Sequence, residues 1–206
     1  MARLNFCTIN EYKTYDKFSE EFVKLVNSIN PEHLDDHKKE KYDILKINLQ
    51  RTQRLDKTFE PTEETKNIFS QITNPQQWIV ITESWCGDSA QIVPVIAKLA
   101  QLNNNIDLKL LLRDSNLDYM DLYLTNGGRA IPKLIVYDEN NEELFQWGPR
   151  PKAAQDLFSK LKSEGMQKPD INKELHLWYG RNRGKEVELE IVTKISENIK
   201  ENLLNR

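Results

Sequence analysis

From Thr8 to Asn30 the apolar residues recur at helical spacing. Phe18, Phe22, Leu25, Val26 and Ile29 fall on one stripe with charged residues between them. The pattern predicts an amphipathic helix that Asn30-Pro31 ends, because a residue before proline is pushed out of the helical region. A second segment, from about His37 to Leu55, repeats the pattern with Tyr42, Leu45 and Leu49. Pro61-Thr62-Glu63-Glu64 opens a third helix, with proline preset for the first turn and acids facing the positive end of the helix dipole. That helix is expected to run to about Ile72, where Thr73-Asn74-Pro75 stops it.

The period changes at Trp78. Trp78 to Thr82 is a continuous aromatic and β-branched run, the signature of a buried strand. After Gly87 the apolar residues Ile92, Val93, Ile96, Leu99 and Ala100 return to helical spacing. Ile106 to Leu112 alternates as a strand, and Ser115 or Asn116 caps a short helix to about Leu124. Lys133 to Tyr137 and Glu142 to Trp147 read as a hairpin across Asp138-Glu139-Asn140-Asn141. Lys152 to Ser163 closes the unit, with Ala153, Leu157, Phe158 and Leu161 on one face. From Trp78 the order is β-α-β-α-β-β-α. Residues 165–169 read as a linker, and Asp170 to Tyr179 and Lys185 to Leu204 as two further helices around the turn Gly180 to Gly184. Trp178 and Tyr179 read as an anchor that docks these helices.

Composition narrows the function classes. The chain has 206 residues, net charge -3 and 30% charged residues. A slight acidic excess argues against nucleic acid, which asks for a clustered basic surface. The basic turn Arg181, Arg183, Lys185 runs straight into Glu186, Glu188 and Glu190. No run of eighteen apolar residues exists to span a membrane, and the start of the chain lacks the apolar stretch of a secretion signal. Two cysteines, Cys7 and Cys86, make no disulfide framework. A reducing compartment suits them, so a cytoplasmic location is expected.

Cys86 carries the strongest chemical signal. It sits where a buried strand hands over to a helix N-terminus, whose free N–H groups and dipole favour an anion. Thiolate, the nucleophilic form of cysteine, is such an anion. The alternative is a small buried hydrophobe, as most free cysteines are. Asp88, in the same turn, is expected to raise the thiol pKa by like-charge repulsion.

Trp85-Cys86-Gly87-Asp88-Ser89 resembles the W-C-G-x-C motif of the thioredoxin family, with serine in place of the second cysteine. Pro94, eight residues on, matches the family's helix-kinking proline, Ile131-Pro132 its active-site cis-proline, and Gly148 a glycine of its last strand. The resemblance implies an α/β thioredoxin-like fold: a central mixed sheet flanked by helices, with helical extensions at both ends. Residues 1–75 form the N-terminal extension, 76–164 the thioredoxin-like domain, and 165–206 the C-terminal extension packed on the core. No strand precedes Trp78, where thioredoxins carry one, and Val80 stands where many hold a buried aspartate.

The implied activity is thiol–disulfide exchange with Cys86 as the single nucleophile. Ser89 cannot resolve a mixed disulfide, so an external thiol such as glutathione does so; its hydroxyl is free to hydrogen-bond the thiolate or to cap the helix. Trp85, Gly87, Asp88, Ile131 and Pro132 are the implied substrate-binding residues, for protein or low-molecular-weight disulfides. No cofactor or metal is implied. Two alternatives stand beside this reading. One is a redox-inactive protein-binding module on the same fold. The other is glutathione and iron–sulfur binding in the manner of monothiol glutaredoxins, which share C-G-x-S. Cys7 is expected to be an inert thiol. Arg129 and Lys133 flank the site and read as solvated. His33 and His37 have the spacing of a two-histidine helix face, though a solvated face is the plainer reading.

Overall fold

The computed structural model describes residues 11–204, with side chains to residue 201. Cys7 lies outside the described residues. Three helices lead: α1 (Tyr15–Ser28), α2 (Asp36–Thr58) and α3 (Glu63–Phe69). Each begins at a side-chain cap, as helix starts require. Thr14 accepts from the Lys17 N–H, Asp35 from Lys38 and Thr62 from Thr65. Then come β1 (Gln76–Thr82), α4 (Ser89–Ala100), β2 (Ile106–Leu112), α5 (Leu117–Met120), β3 (Lys133–Tyr137), β4 (Glu143–Trp147) and α6 (Lys152–Ser163). Two helices follow, α7 (Lys168–Asn182) and α8 (Lys185–Leu204).

The four strands form one mixed sheet in the order β2-β1-β3-β4. β1 runs parallel to β2 and antiparallel to β3, and β3 is antiparallel to β4. The β-α-β-α-β-β-α order read from the sequence is the observed one. At the β2 edge, Lys13 and Leu110 exchange backbone hydrogen bonds of 2.9 and 2.8 Å. This short bridge stands where no full strand could be read, and among the described residues it covers part of the β2 edge.

Strand alternation divides the core. Trp78 and Val80 point to a large cluster that also holds residues of α1, α2, α4, α7 and α8. Ile79 and Ile81 point to a smaller cluster with Cys86, Leu111, Tyr119, Met120 and Ile131. α4 lies between β1 and β2 on one side and α2 and α8 on the other. It is buried at every residue except Lys98, as a mostly apolar helix enclosed on several sides can be. Ile92, Ile96 and Leu99 are fully buried, each worth about 1.5–3 kcal/mol over exposure.

Several details differ from expectation. α7 starts at Lys168, inside the expected linker, because Pro169 fits its first turn. It also runs on to Asn182, so Arg183 and Gly184 alone make the turn, both with positive φ. On α6 it is Ala154, not Ala153, that is buried with Leu161. Leu25 is exposed on α1. His33 belongs to a 3₁₀ turn, Pro31–His33, and His37 to α2. With Leu34 and the cap Asp35 between them, the two do not share one helix face.

Candidate functional site

Cys86 lies on the turn between β1 and α4. Its N–H bonds back to the Glu83 carbonyl at 3.2 Å, and its own carbonyl accepts from Ala90 at 3.1 Å. The turn therefore feeds straight into the helix. Cys86 is 9% exposed as a residue. Sγ accepts from the Ser89 N–H at 3.5 Å and donates to the Ile131 carbonyl at 3.4 Å. Burial pushes the Cys86 thiol above its ordinary value, and the Asp88 carboxylate pushes it further. Hydrogen bonding from Ser89 opposes both. Desolvation of a charge outweighs the helix terminus here.

Asp88 stands at the N-cap of α4, but its side chain makes no capping hydrogen bond. Its carboxylate turns away, taking an ion pair from Arg150 at 2.7 Å and a hydrogen bond from the Tyr179 hydroxyl at 2.8 Å. Tyr179 comes from α7, so the first of the two C-terminal helices reaches the cysteine turn. α7 also lays His176 against Gly87: a Cβ on Gly87 would fall 2.8 Å from the imidazole. Only glycine leaves the ring room. Burial first, then Arg51 and Arg150, lower the His176 pKa to about 4, so the imidazole is neutral at pH 7.

Trp85 is 41% exposed. Its indole N–H donates to Asp114 at 3.2 Å, and the Arg113 guanidinium stacks on its ring at 4.6 Å. The Ile131–Pro132 peptide is cis, as is Gly148–Pro149. Gly148, with φ of 114°, lets the chain pass Pro132 closely, since a Cβ there would sit 2.4 Å from the Pro132 carbonyl oxygen. A cavity of about 1060 Å³ opens beside the thiol, between the cysteine turn, α2, α7 and the loop before β3.

The sequence and the fold have counterparts among known proteins. A thioredoxin family model, Thioredoxin_9, matches residues 36–162, more than half of the chain. The chain belongs to the thioredoxin family. The match starts in α2, so α2 and α3 lie within the family's span. Two solved structures have a similar fold. One is a protein of unknown function from Pseudomonas aeruginosa, 17% identical, covering 90% of this chain and 98% of that one with a TM-score of 0.56. The other is an HIV epitope-scaffold, 19% identical, covering 90% and 99% with a TM-score of 0.53. At 90% coverage the likeness takes in helices beyond the family match. No curated protein matches the chain in sequence.

Trp85, Cys86, Gly87, Asp88 and Ile131, singled out from the sequence, all line the cavity. Ser89 is buried behind the thiol, and among the described residues its hydroxyl has no hydrogen-bond partner. Two flanking residues depart from expectation. Arg129 is not merely solvated but grips Asp121 with two bonds of 2.6 and 2.7 Å. Lys133 is buried in β3, and burial lowers its pKa. Val80 is fully buried in β1, an apolar wall in the place of the family's aspartate. The sequence reading missed Arg51, Arg54, Arg150 and His176. All four look like surface charge or helix punctuation in one dimension, and no local pattern marks them. Among the described residues no cluster of three metal-ligating side chains exists and no helix is long and apolar enough to cross a membrane.

Proposed function

We propose that the protein is a thiol–disulfide oxidoreductase that works through the single nucleophile Cys86 and is reset by an external thiol. The observation that supports it most is the position of Sγ: at the first turn of α4, 3.5 Å from the Ser89 N–H, on the border of a cavity of about 1060 Å³. Cys86 loses its proton, and the thiolate attacks one sulfur of a disulfide. A new S–S bond forms as the substrate's breaks, and the departing thiolate takes up a proton. Ser89 carries no thiol to resolve the mixed disulfide. An external thiolate, such as that of glutathione, attacks the substrate-derived sulfur and frees Cys86. A reducing cytoplasm supplies such thiols. The backbone of Ile131, next to cis-Pro132, offers an extended substrate a partner beside Sγ. Trp85, Gly87 and Asp88 frame the other side.

The test is mass spectrometry of the folded Cys7→Ser protein after incubation with bis(2-hydroxyethyl) disulfide. One adduct on Cys86, removed by added glutathione, is the expected result. Absence of an adduct even at alkaline pH, where a free thiol ionises, overturns the reading. A second reading, a redox-inactive protein-binding module, draws on the 9% exposure of Cys86 and the raised pKa of its thiol. It predicts that Cys86→Ser leaves partner binding intact.

A further inference from the structure

The cavity beside Cys86 is lined by many cations and one carboxylate. Arg113 and Arg129 are neutralised by Asp114 and Asp121, and Arg150 by Asp88, the carboxylate of the cavity. Among the described residues Arg51 and Arg54 have no such partner, and unlike the exposed Lys168 and Lys173 of the same lining they are half-buried. They stand three apart on α2, on the face turned to the cysteine turn. Arg51 Nη1 donates to the Asn48 side-chain oxygen at 2.9 Å, and Arg54 Nη2 to that of Gln91 at 3.0 Å. Both partners are neutral amides. Among the described residues neither guanidinium has an ion pair, and the buried Arg54 Nε has no hydrogen-bond partner at all. The buried His176 Nδ1, on the opposite wall, is also without one.

Two half-buried guanidiniums side by side are costly without a counter-charge. Burial first, then the proximity of Arg54, weaken the hold of Arg51 on its proton, and the Asp88 carboxylate offsets them only in part. An anion between them supplies the missing charge, and a guanidinium fork matches carboxylate geometry. Position supplies the link to the thiol. Arg51 Nη1 lies 3.7 Å from the point where a Cβ on Gly87 would stand, and Gly87 is the residue next to Cys86. The cavity volume suits a low-molecular-weight ligand.

We propose that Arg51 and Arg54 form an anion subsite of the Cys86 cavity, and that the disulfides it admits are small molecules bearing a carboxylate. This substrate class rests on the exchange reading above, while the subsite itself does not. Arg51 and Arg54 are positioning residues: they hold the carboxylate so that the neighbouring sulfur faces Sγ.

The experiment separates binding from chemistry. Isothermal titration calorimetry uses the full chain with Cys7→Ser and Cys86→Ser, which cannot exchange. The probes are three disulfides of matched length: dithiodiglycolate (dianionic), bis(2-hydroxyethyl) disulfide (neutral) and cystamine (dicationic). Dithiodiglycolate is expected to bind about tenfold or more tighter than the neutral probe, the effect of one charge-assisted hydrogen-bonded pair. Adding Arg51→Gln and Arg54→Gln should bring that ratio to about 1. Circular dichroism checks that the variant is folded, and Arg54→Lys, which keeps one charge, should recover part of the preference. Equal binding of all three probes overturns the proposal, as does a preference that survives in the double glutamine variant. An inert Cys86 thiol with charge selection intact in the serine variant sinks the exchange reading and leaves the anion subsite standing.

Discussion

At the scale of single residues, Asp88 has the most leverage on Cys86. Its charge repels a developing thiolate, and its carboxylate also occupies Arg150 and the Tyr179 hydroxyl. Asp88→Asn removes the repulsion and releases the Arg150 charge, and both changes favour thiolate. The midpoint of the pH dependence of alkylation in a Cys7→Ser background should lie above that of an ordinary thiol and fall in Asp88→Asn. A midpoint that stays put in Asp88→Asn would show burial alone to be in control. The motif made Cys86, Asp88 and Ser89 visible from the sequence, and the sign of the Asp88 effect with them. It did not show that burial would be the larger cause, because exposure depends on what packs over the turn. Nor did any local pattern mark Arg51 or His176.

At the scale of elements, the helix and strand periods were legible almost everywhere, since amphipathic stripes and apolar runs follow from local burial. β2, β3, α6 and α8 have the predicted limits. The joints between elements were less legible. Glu188 of α8 is buried, and its carboxylate accepts from the Thr62 N–H at 2.7 Å and the Thr65 hydroxyl at 2.6 Å, at the start of α3. In sequence it is one acid among several after a basic turn. In the fold it accepts from donors at the start of a distant helix, the hydroxyl of the buried Thr65 among them. Glu188→Ala should therefore cost about 1–3 kcal/mol, read by urea denaturation. Glu186→Ala, on the same helix without this contact to α3, serves as the reference and should change stability far less.

At the scale of the whole molecule, α7 is part of the site, and neither it nor α8 is a tail. Together they complete the large core through Ile171, Leu175, Ile191 and Ile195, and α7 brings Tyr179 and His176 to the cysteine turn. His176 makes this packing pH-dependent. Its folded pKa is lowered from 6.5 to about 4, so between those values the unfolded chain binds a proton that the folded chain refuses. Stability must therefore fall as pH drops through that window and level off below it. The loss is at most about 3 kcal/mol, less for residual solvent contact. Chemical denaturation at stepped pH should show this slope, and His176→Gln should remove it. By itself the sequence determined the element order, the strand-turn-helix around Cys86 and the family, because periodicity and motif spacing are local properties of the chain. Tertiary structure alone decided that the thiol is buried, that Asp88 is held by Arg150 and Tyr179, and that α2 and α7 wall a cationic cavity beside it. Those features depend on residues far apart in the chain meeting in space, and on the loss of water where they meet.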